Sequence, residues 1–282
     1  MKDDPIQSLA KPIQKVIDEL KEKQQIARVN ASLEEAQQSI IELTKAVQEY
    51  QQAKTKFVSV VTHELRIPMT SIKGYTDLLR QGAVGPVNEQ QANFLGVIRN
   101  NIDRMSQLVS DLSDISHIES GRIKLDSACI PIMPLIDEVM ANFKPRFAEK
   151  NQILEVDAPD NLPSVYGDTS RISQVLNNIL NNACRYTPSG GKITLRAQAE
   201  RTKVRITIRD TGIGISPADQ KQLFTQFFRS EDPAVRDQQG WGLGLTVAKK
   251  FLEIMGGEIG VQSALKEGSS FWFTLPAREE ET

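Results

Sequence analysis

Apolar residues recur in alternating steps of three and four at Leu33, Ala36, Ile40, Leu43, Val47, Tyr50, Phe57 and Val61. That is the spacing of a coiled-coil seam, with Lys54 as its one polar break. An earlier series, Ile6, Leu9, Ile13, Val16 and Leu20, keeps the same steps one residue out of phase. A phase slip changes supercoiling locally, so the start reads either as a loose N-terminus or as a torsion-sensitive input rod. No proline interrupts the stretch between Pro12 and Pro68, and good helix formers dominate it, which predicts helix over about 13–81. "QGAVGPVN" (81–88) is a turn. Asn88 then caps a second helix, with Gln91 completing a capping box. Its apolar face is Phe94, Ile98, Ile102, Met105, Val109, Leu112 and Ile115, and Gly121 is a natural stop. One hairpin cannot bury both stripes, whereas two copies forming a four-helix bundle can, so a homodimer is expected.

After Gly121 the period changes. Short β-like runs, "RIKLD", "ILEVDA", "GKITLRAQAE", "KVRITIRD" and "SSFWFTLPA", alternate with helical segments at 133–150, 168–185, 218–228 and 244–255. The third and fourth runs read as adjacent strands. The expectation is a mixed α/β domain of roughly 150 residues with helices on one side of a sheet. The chain then divides into an N-terminal coiled coil (1–50), a helical hairpin (51–121), the α/β domain (122–278) and a short acidic tail (279–282).

Composition narrows the class. The chain has 282 residues, is 39% hydrophobic and 25% charged, and carries a net charge of −2, so it is globular with no general attraction to nucleic acid. Cys129 and Cys184 lie far apart without CxxC spacing, which suits a reducing cytosol. No apolar run approaches the roughly 18 residues of a membrane span, and "MKDDPIQSLA" is not a signal peptide. A cytoplasmic location is expected, either of a free protein or of a piece cut from a membrane-bound one.

Four motifs in the α/β part carry candidate chemistry. In "QVLNNILNNACRYTPSGG", Asn178 and Asn182 share a helix face beside Arg185 and Tyr186. An amide oxygen is a fair magnesium ligand when phosphates and waters complete the octahedron, although an Asn pair alone is more often surface or capping chemistry. In "DTGIGI", Asp210 ends a strand and two glycines let the backbone approach a ligand; alone this could be a tight turn. The carboxylate can accept from an exocyclic amine. "LFTQFFRS" places three phenylalanines where they would anchor the following loop. "GWGLGL" opens a helix with alternating glycines, exposing backbone N–H groups and the positive dipole end to an anion. Neither a Rossmann nor a Walker pattern is present. Between the last two lies "SEDPAVRDQQ", polar and aperiodic, a candidate mobile lid.

In this order the motifs resemble the ATP-binding domain of sensor histidine kinases, a two-layer α/β sandwich (Bergerat fold) shared with gyrase-type, mismatch-repair and heat-shock chaperone ATPases. The resemblance covers about 130–276, including "MGGEIGVQS" and "EGSSFWFTLP". It implies ATP and Mg2+ as cofactors. It implies that Asn182 binds the metal with Asn178 alongside, that Arg185 faces phosphate and that Tyr186 packs near adenine. It further implies that Asp210 recognises the adenine amine and that Gly212 and Gly214 shape its pocket. Gly240, Gly242 and Gly244, with Leu243 and Leu245, would carry the lid end and the phosphates. "HELRIP" (63–68) resembles the same family's phospho-acceptor box, which extends the resemblance to about 54–276.

The resemblance makes His63 the phosphate acceptor. An exposed neutral imidazole is a competent nucleophile near pH 7. Glu64 can bond one ring nitrogen and accept its proton. Arg66 offers charge to other residues or to phosphate. Pro68 cannot donate to the carbonyl of Glu64, so a bend is expected there, bringing His63 and Glu64 into line with nucleotide. The later seam puts Glu64 at an apolar position, which predicts a phase slip near Pro68. Ile67 stands where the family usually has Thr or Asn, a residue linked to removing phosphate from the partner, so phosphatase activity is not expected to be robust. Thr225 replaces a common Glu and Trp241 is bulky for its place, and both bear on the lid. The expected function is autophosphorylation on His63 and transfer to an aspartate of a response-regulator receiver domain. No upstream sensor domain is visible in the chain. The alternatives are an ATPase conformational machine, against which Asn178 argues because those ATPases have a water-activating Glu there, and a non-catalytic dimeric scaffold.

Overall fold

The computed structural model describes residues 5–159, 161–236, 238 and 240–278; among the first 31 residues only the side chains of Lys15, Lys21, Lys23 and Asn30 are described. The early seam residues Ile6 to Leu20 and the tail therefore lie outside the described side chains. The chain separates into two compact units, 1–57 and 58–282. A helix, α1 (Pro5–Arg80), supplies the first unit and enters the second. In the first unit the later seam residues Leu33, Ile40, Leu43, Val47, Tyr50 and Phe57 are all exposed.

In the second unit α1 turns through 81–88 into α2 (Glu89–Glu119). Asn88 caps it reciprocally: its Oδ1 accepts from the Gln91 N–H at 2.8 Å, and its own N–H donates to Gln91 Oε1 at 2.9 Å. The two helices meet on Met69, Ile102 and Val109, with Thr62 and Thr76 also buried. That α1 face is one residue out of phase with the seam of Phe57 and Val61, so Glu64 escapes burial. Lys73 Nζ donates to Asp103 at 2.7 Å, and Arg99 bridges Asp77 and Asp103, which pins the register of the hairpin. The helix runs unbroken over Pro68, so the proline does not end it.

The α/β part contains β1 (Ser127–Ile130), α3 (Ile132–Glu149), β2 (Ile153–Asp157), β3 (Ser164–Asp168), α4 (Thr169–Tyr186), β4 (Lys192–Glu200) and β5 (Lys203–Asp210). Then come α5 (Pro217–Gln220), α6 (Pro233–Arg236), α7 (Gly244–Ile254), β6 (Ile259–Ala264) and β7 (Gly268–Arg278). The sheet order is β1-β3-β7-β5-β4-β2, with β6 also paired to β7; only β2–β4 is parallel. β4 and β5 are adjacent, Ile193 opposite Asp210, as expected. Alternation decides the layers. Ile193, Leu195, Val204, Ile206, Ile208, Phe271, Phe273 and Leu275 are buried against α3, α4 and α7, while their neighbours Arg196, Arg205 and Arg209 face outward. The result is a two-layer α/β sandwich.

Four local readings differ. "RIKLD" forms no strand; pairing begins at Ser127, where β1 finds β3, and Asp126 instead donates its N–H to Asp168. β3 and β6 went unread, the first because "SVYGD" is short, contains Gly167 and runs straight into a helix cap. The helix expected over 218–228 shrinks to one turn: the N–H groups of Gln222 and Thr225 close i→i−3 turns onto Asp219 and Gln222, and Phe227 then adopts a left-handed φ of 61° and gives its N–H to Gly242 O. Among the described residues no helix is long and apolar enough to cross a membrane.

Candidate active site

Asp168 starts α4 by accepting from the Ser170 and Arg171 N–H groups and from Ser170 Oγ. One face of α4 (Ile172, Leu176, Ile179, Leu180, Ala183) is buried in the core. The remaining edge carries Asn178, Asn182 and Arg185, and with Tyr186 these line a cleft of about 1190 Å³. Asn178 Nδ2 donates to Gly244 O at 2.9 Å, which ties α4 to the first residue of α7 and leaves the amide oxygen uncommitted. The Asn182 side chain makes no hydrogen bond to another described residue.

Asp210 closes the opposite wall. It is 4% exposed, and its Oδ1 accepts from the N–H groups of Gly212 at 2.8 Å and Ser269 at 3.2 Å. Burial pushes its carboxyl above the usual range, and those two N–H groups pull the other way. The Ile213 N–H reaches Tyr186 O at 3.3 Å and joins the Asp210 loop to the end of α4. Gly214 has φ +73°, and a Cβ there would stand 1.9 Å from Ala264 O, so no other residue fits. Gly242, at φ +71°, would meet Phe228 O at 2.5 Å. Gly240 lies under Arg185, its would-be Cβ 2.9 Å from Nη1. Leu243, the cap of α7, contributes no side-chain bond, so the first N–H groups of that helix are left for a ligand. Gly212 packs closest to Tyr186 O, and Leu245 joins the cleft wall.

The expected lid is tethered. Arg229 donates to the carbonyls of Val235 and Gln238, and Ser230 Oγ donates to Asp219 at 2.6 Å; Asp237 and Gln239 lie outside the described residues. Trp241 is exposed on the rim.

His63 stands apart. It is exposed, with Nδ1 3.3 Å from Glu64 Oε1, and neither of them nor Arg66 lines the cleft. Thr70 and Ser71 bond back to the carbonyls of Arg66 and Ile67 around Pro68.

Several cleft neighbours were not legible in the sequence. Gln107 and Asp111 come from α2, and Asp111 is pushed up to about 6 by burial, with a Gln107 bond opposing and the nearby Asp114 adding to the rise. Asp114 itself accepts from Arg171 Nη1 at 3.1 Å and Gln174 Nε2 at 2.9 Å, while Arg171 also covers the Phe251 ring at 4.6 Å. Glu119 accepts from Gln226 and Lys250. The end of α2 is thus fastened to α4 and α7. No spacing rule relates residues 57 to 131 apart.

Comparison with known proteins adds two domain matches. "His Kinase A (phospho-acceptor) domain" covers residues 53–121, and "Histidine kinase-, DNA gyrase B-, and HSP90-like ATPase" covers residues 167–279. The sensor histidine kinase GacS of Pseudomonas protegens is 34% identical over 96% of this chain, which spans 30% of that relative's length. A crystal structure of full-length ShkA in complex with AMPPNP aligns with a TM-score of 0.67 at 27% identity, covering 80% of this chain and 47% of that one. ThkA in complex with the response regulator protein TrrA aligns with a TM-score of 0.54 at 26% identity, over 80% of this chain and 63% of that one.

Proposed function

The chain belongs to the sensor histidine kinases, and from that premise we propose that it uses Mg-ATP to phosphorylate His63 and then passes the phosphoryl group to an aspartate of a response regulator. The observation that carries this is the cleft, which gathers the α4 asparagine edge, Asp210 and the N-terminus of α7.

In this reading Asp210 accepts the adenine amine, and Arg185 with the open N–H groups of α7 receives the phosphates. The site's oxygens suit a hard cation: Asn182 is uncommitted and Asn178 offers only its amide oxygen. Those two would hold magnesium, which offsets phosphate charge. In the tautomer whose Nδ1–H faces Glu64, Nε2 of His63 carries the lone pair. The Nε2–P bond forms as the bond from the γ-phosphorus to the bridging oxygen of ADP breaks, and Glu64 takes the Nδ1 proton. Arg66 stands one helical turn away as a counter-charge.

Because His63 lies outside the cleft, transfer requires the α/β part to move or a second copy to supply its own cleft. Pro68 leaves the Glu64 carbonyl without its helical donor, which weakens α1 beside the nucleophile. Exposed Val60, Ile67, Ile72 and Leu78 on α1, with Val97 on α2, are faces that a four-helix homodimer would cover. Ile67 is exposed and apolar and can orient no water, so dephosphorylation of the regulator is expected to be weak.

The test is incubation with γ-labelled ATP and Mg2+ beside a His63→Gln variant. Acid-labile, base-stable label on the parent alone supports the reading. Label that survives in the variant removes His63 from it. Hydrolysis without phosphoprotein favours the conformational ATPase, and absence of nucleotide binding favours a scaffold.

A further inference from the structure

The last turn of α4 has an unusual ending. A helix end leaves four carbonyls without partners, and a left-handed glycine commonly closes them. Here Thr187 caps in an extended conformation and Pro188 follows. Proline has no N–H, so the bond that would close on Cys184 O cannot form. The donors arrive instead from the turn between α3 and β2. Lys150 Nζ donates to Cys184 O at 2.8 Å and to Arg185 O at 3.4 Å. Gln152 Nε2 donates to Cys184 O at 3.0 Å and to Thr187 O at 2.6 Å. The Ile213 N–H takes the remaining carbonyl, that of Tyr186.

Gln152 is only 7% exposed, and its Oε1 has no partner among the described residues. Its amide is therefore oriented wholly by what its nitrogen donates to, since a flip would set oxygen against two carbonyls. Lys150 places its charge at the negative end of the α4 dipole. The same turn is stitched to the loop after α4 by Ile153 N–H to Gly191 O at 2.8 Å and Gly190 N–H to Lys150 O at 3.3 Å. Arg185, whose carbonyl Lys150 reaches, and Tyr186, which lies between the two carbonyls that Gln152 holds, both line the cleft.

We infer that Lys150 and Gln152 are positioning residues for the nucleotide: from outside the cleft they replace the backbone donor that Pro188 lacks and so set where Arg185 and Tyr186 meet phosphate and base. This rests on the nucleotide reading above. A merely structural contact would lower the unfolding temperature and the active fraction but leave the affinity of the folded molecules unchanged. A positioning contact shifts the ATP dissociation constant and KM, with less effect on kcat.

The experiment titrates Mg-ATP into the full chain as parent, Lys150→Met, Lys150→Arg, Gln152→Glu, Arg185→Ala and the Arg185→Ala/Gln152→Glu double variant, with circular dichroism on each. Gln152→Glu removes both donors and sets negative charge at the negative helix end, so ATP should bind about tenfold more weakly or worse. Lys150→Met should lose several-fold, and Lys150→Arg, which keeps a donor and the charge, should recover most of it. In the double variant the Arg185→Ala loss should shrink, because a misplaced guanidinium has little left to contribute. Folded variants with parental affinity, or a double variant whose losses simply add, overturn the inference while leaving the nucleotide reading intact. A parent that binds no ATP overturns both. Should Gln152→Glu fail to fold, the Lys150 pair decides: loss with Met and recovery with Arg supports positioning, and equal affinities reject it.

Discussion

Two carboxyls, Asp210 and Asp111, line the cleft, and each yields an expectation. Asp210 spends one oxygen on the Gly212 and Ser269 N–H groups. Asp210→Asn keeps an acceptor for those donors but turns the other oxygen into a donor, which cannot accept an amine. ATP affinity should fall tenfold or more with the fold retained, as read by calorimetric titration beside circular dichroism. Asp111 has a folded pKa raised to about 6 by burial, against an ordinary 3.8. The folded state therefore holds the extra proton between these values, and stability falls as pH rises from about 4 through 6, then levels off. The cost of keeping the buried group ionised at pH 7.5 is at most about 3 kcal/mol. Asp111→Asn keeps the Gln107 bond, so its denaturation midpoint should exceed that of the parent at pH 7.5, with the gain gone by pH 4. An equal difference at both pH values would reject this. Asp168 runs the opposite way. Burial works to raise its carboxyl, but bonds from Ser170, Asp126 and Arg171 outweigh it and hold the group low, so its contribution is lost only in stronger acid.

Among the elements, α7 begins where the Gly242 backbone lies against the Phe227–Phe228 segment. Gly242 accepts the Phe227 N–H, and its left-handed backbone lies against the Phe228 carbonyl. Gly242→Ala combines a strained φ with a backbone clash that no rotamer relieves, so the N-terminus of α7 must shift away from the asparagine edge. Nucleotide binding should be lost to a degree that Gly244→Ala does not match. There the nearest atoms belong to the Asn178 side chain, 3.3 Å away, and that side chain can yield. Comparable losses in both variants would show that the affinity does not depend on the conformation at Gly242.

For the molecule as a whole, the apolar seam of the first unit and the outer hairpin faces are exposed within a single chain. Helices that are apolar on one side and unpartnered need a second copy. Sedimentation should show a dimer, and Leu43→Asp together with Val47→Asp should weaken self-association markedly without reducing ATP binding, which depends on the second unit alone. A monomer at micromolar concentration would overturn the four-helix proposal.

The sequence by itself determined the periodic and the contiguous features. The helical hairpin and its Asn88 cap, the β4–β5 pair, the asparagine edge of α4 and the glycine pattern before α7 all depend on neighbours within a few residues, and local rules read such neighbours directly. The His63–Glu64 contact was legible for the same reason. Only the tertiary structure decided which strands found partners, so β3 formed although its five residues include Gly167 and run straight into a helix cap, and "RIKLD" did not although it alternates. It also decided that Asp114 and Glu119 fasten α2 to the α/β part, and that Lys150 and Gln152 complete the end of α4. Those bonds satisfy groups that a local fold leaves unpaired, and their donors come from wherever the packed core brings the chain close, which no periodicity along the chain encodes.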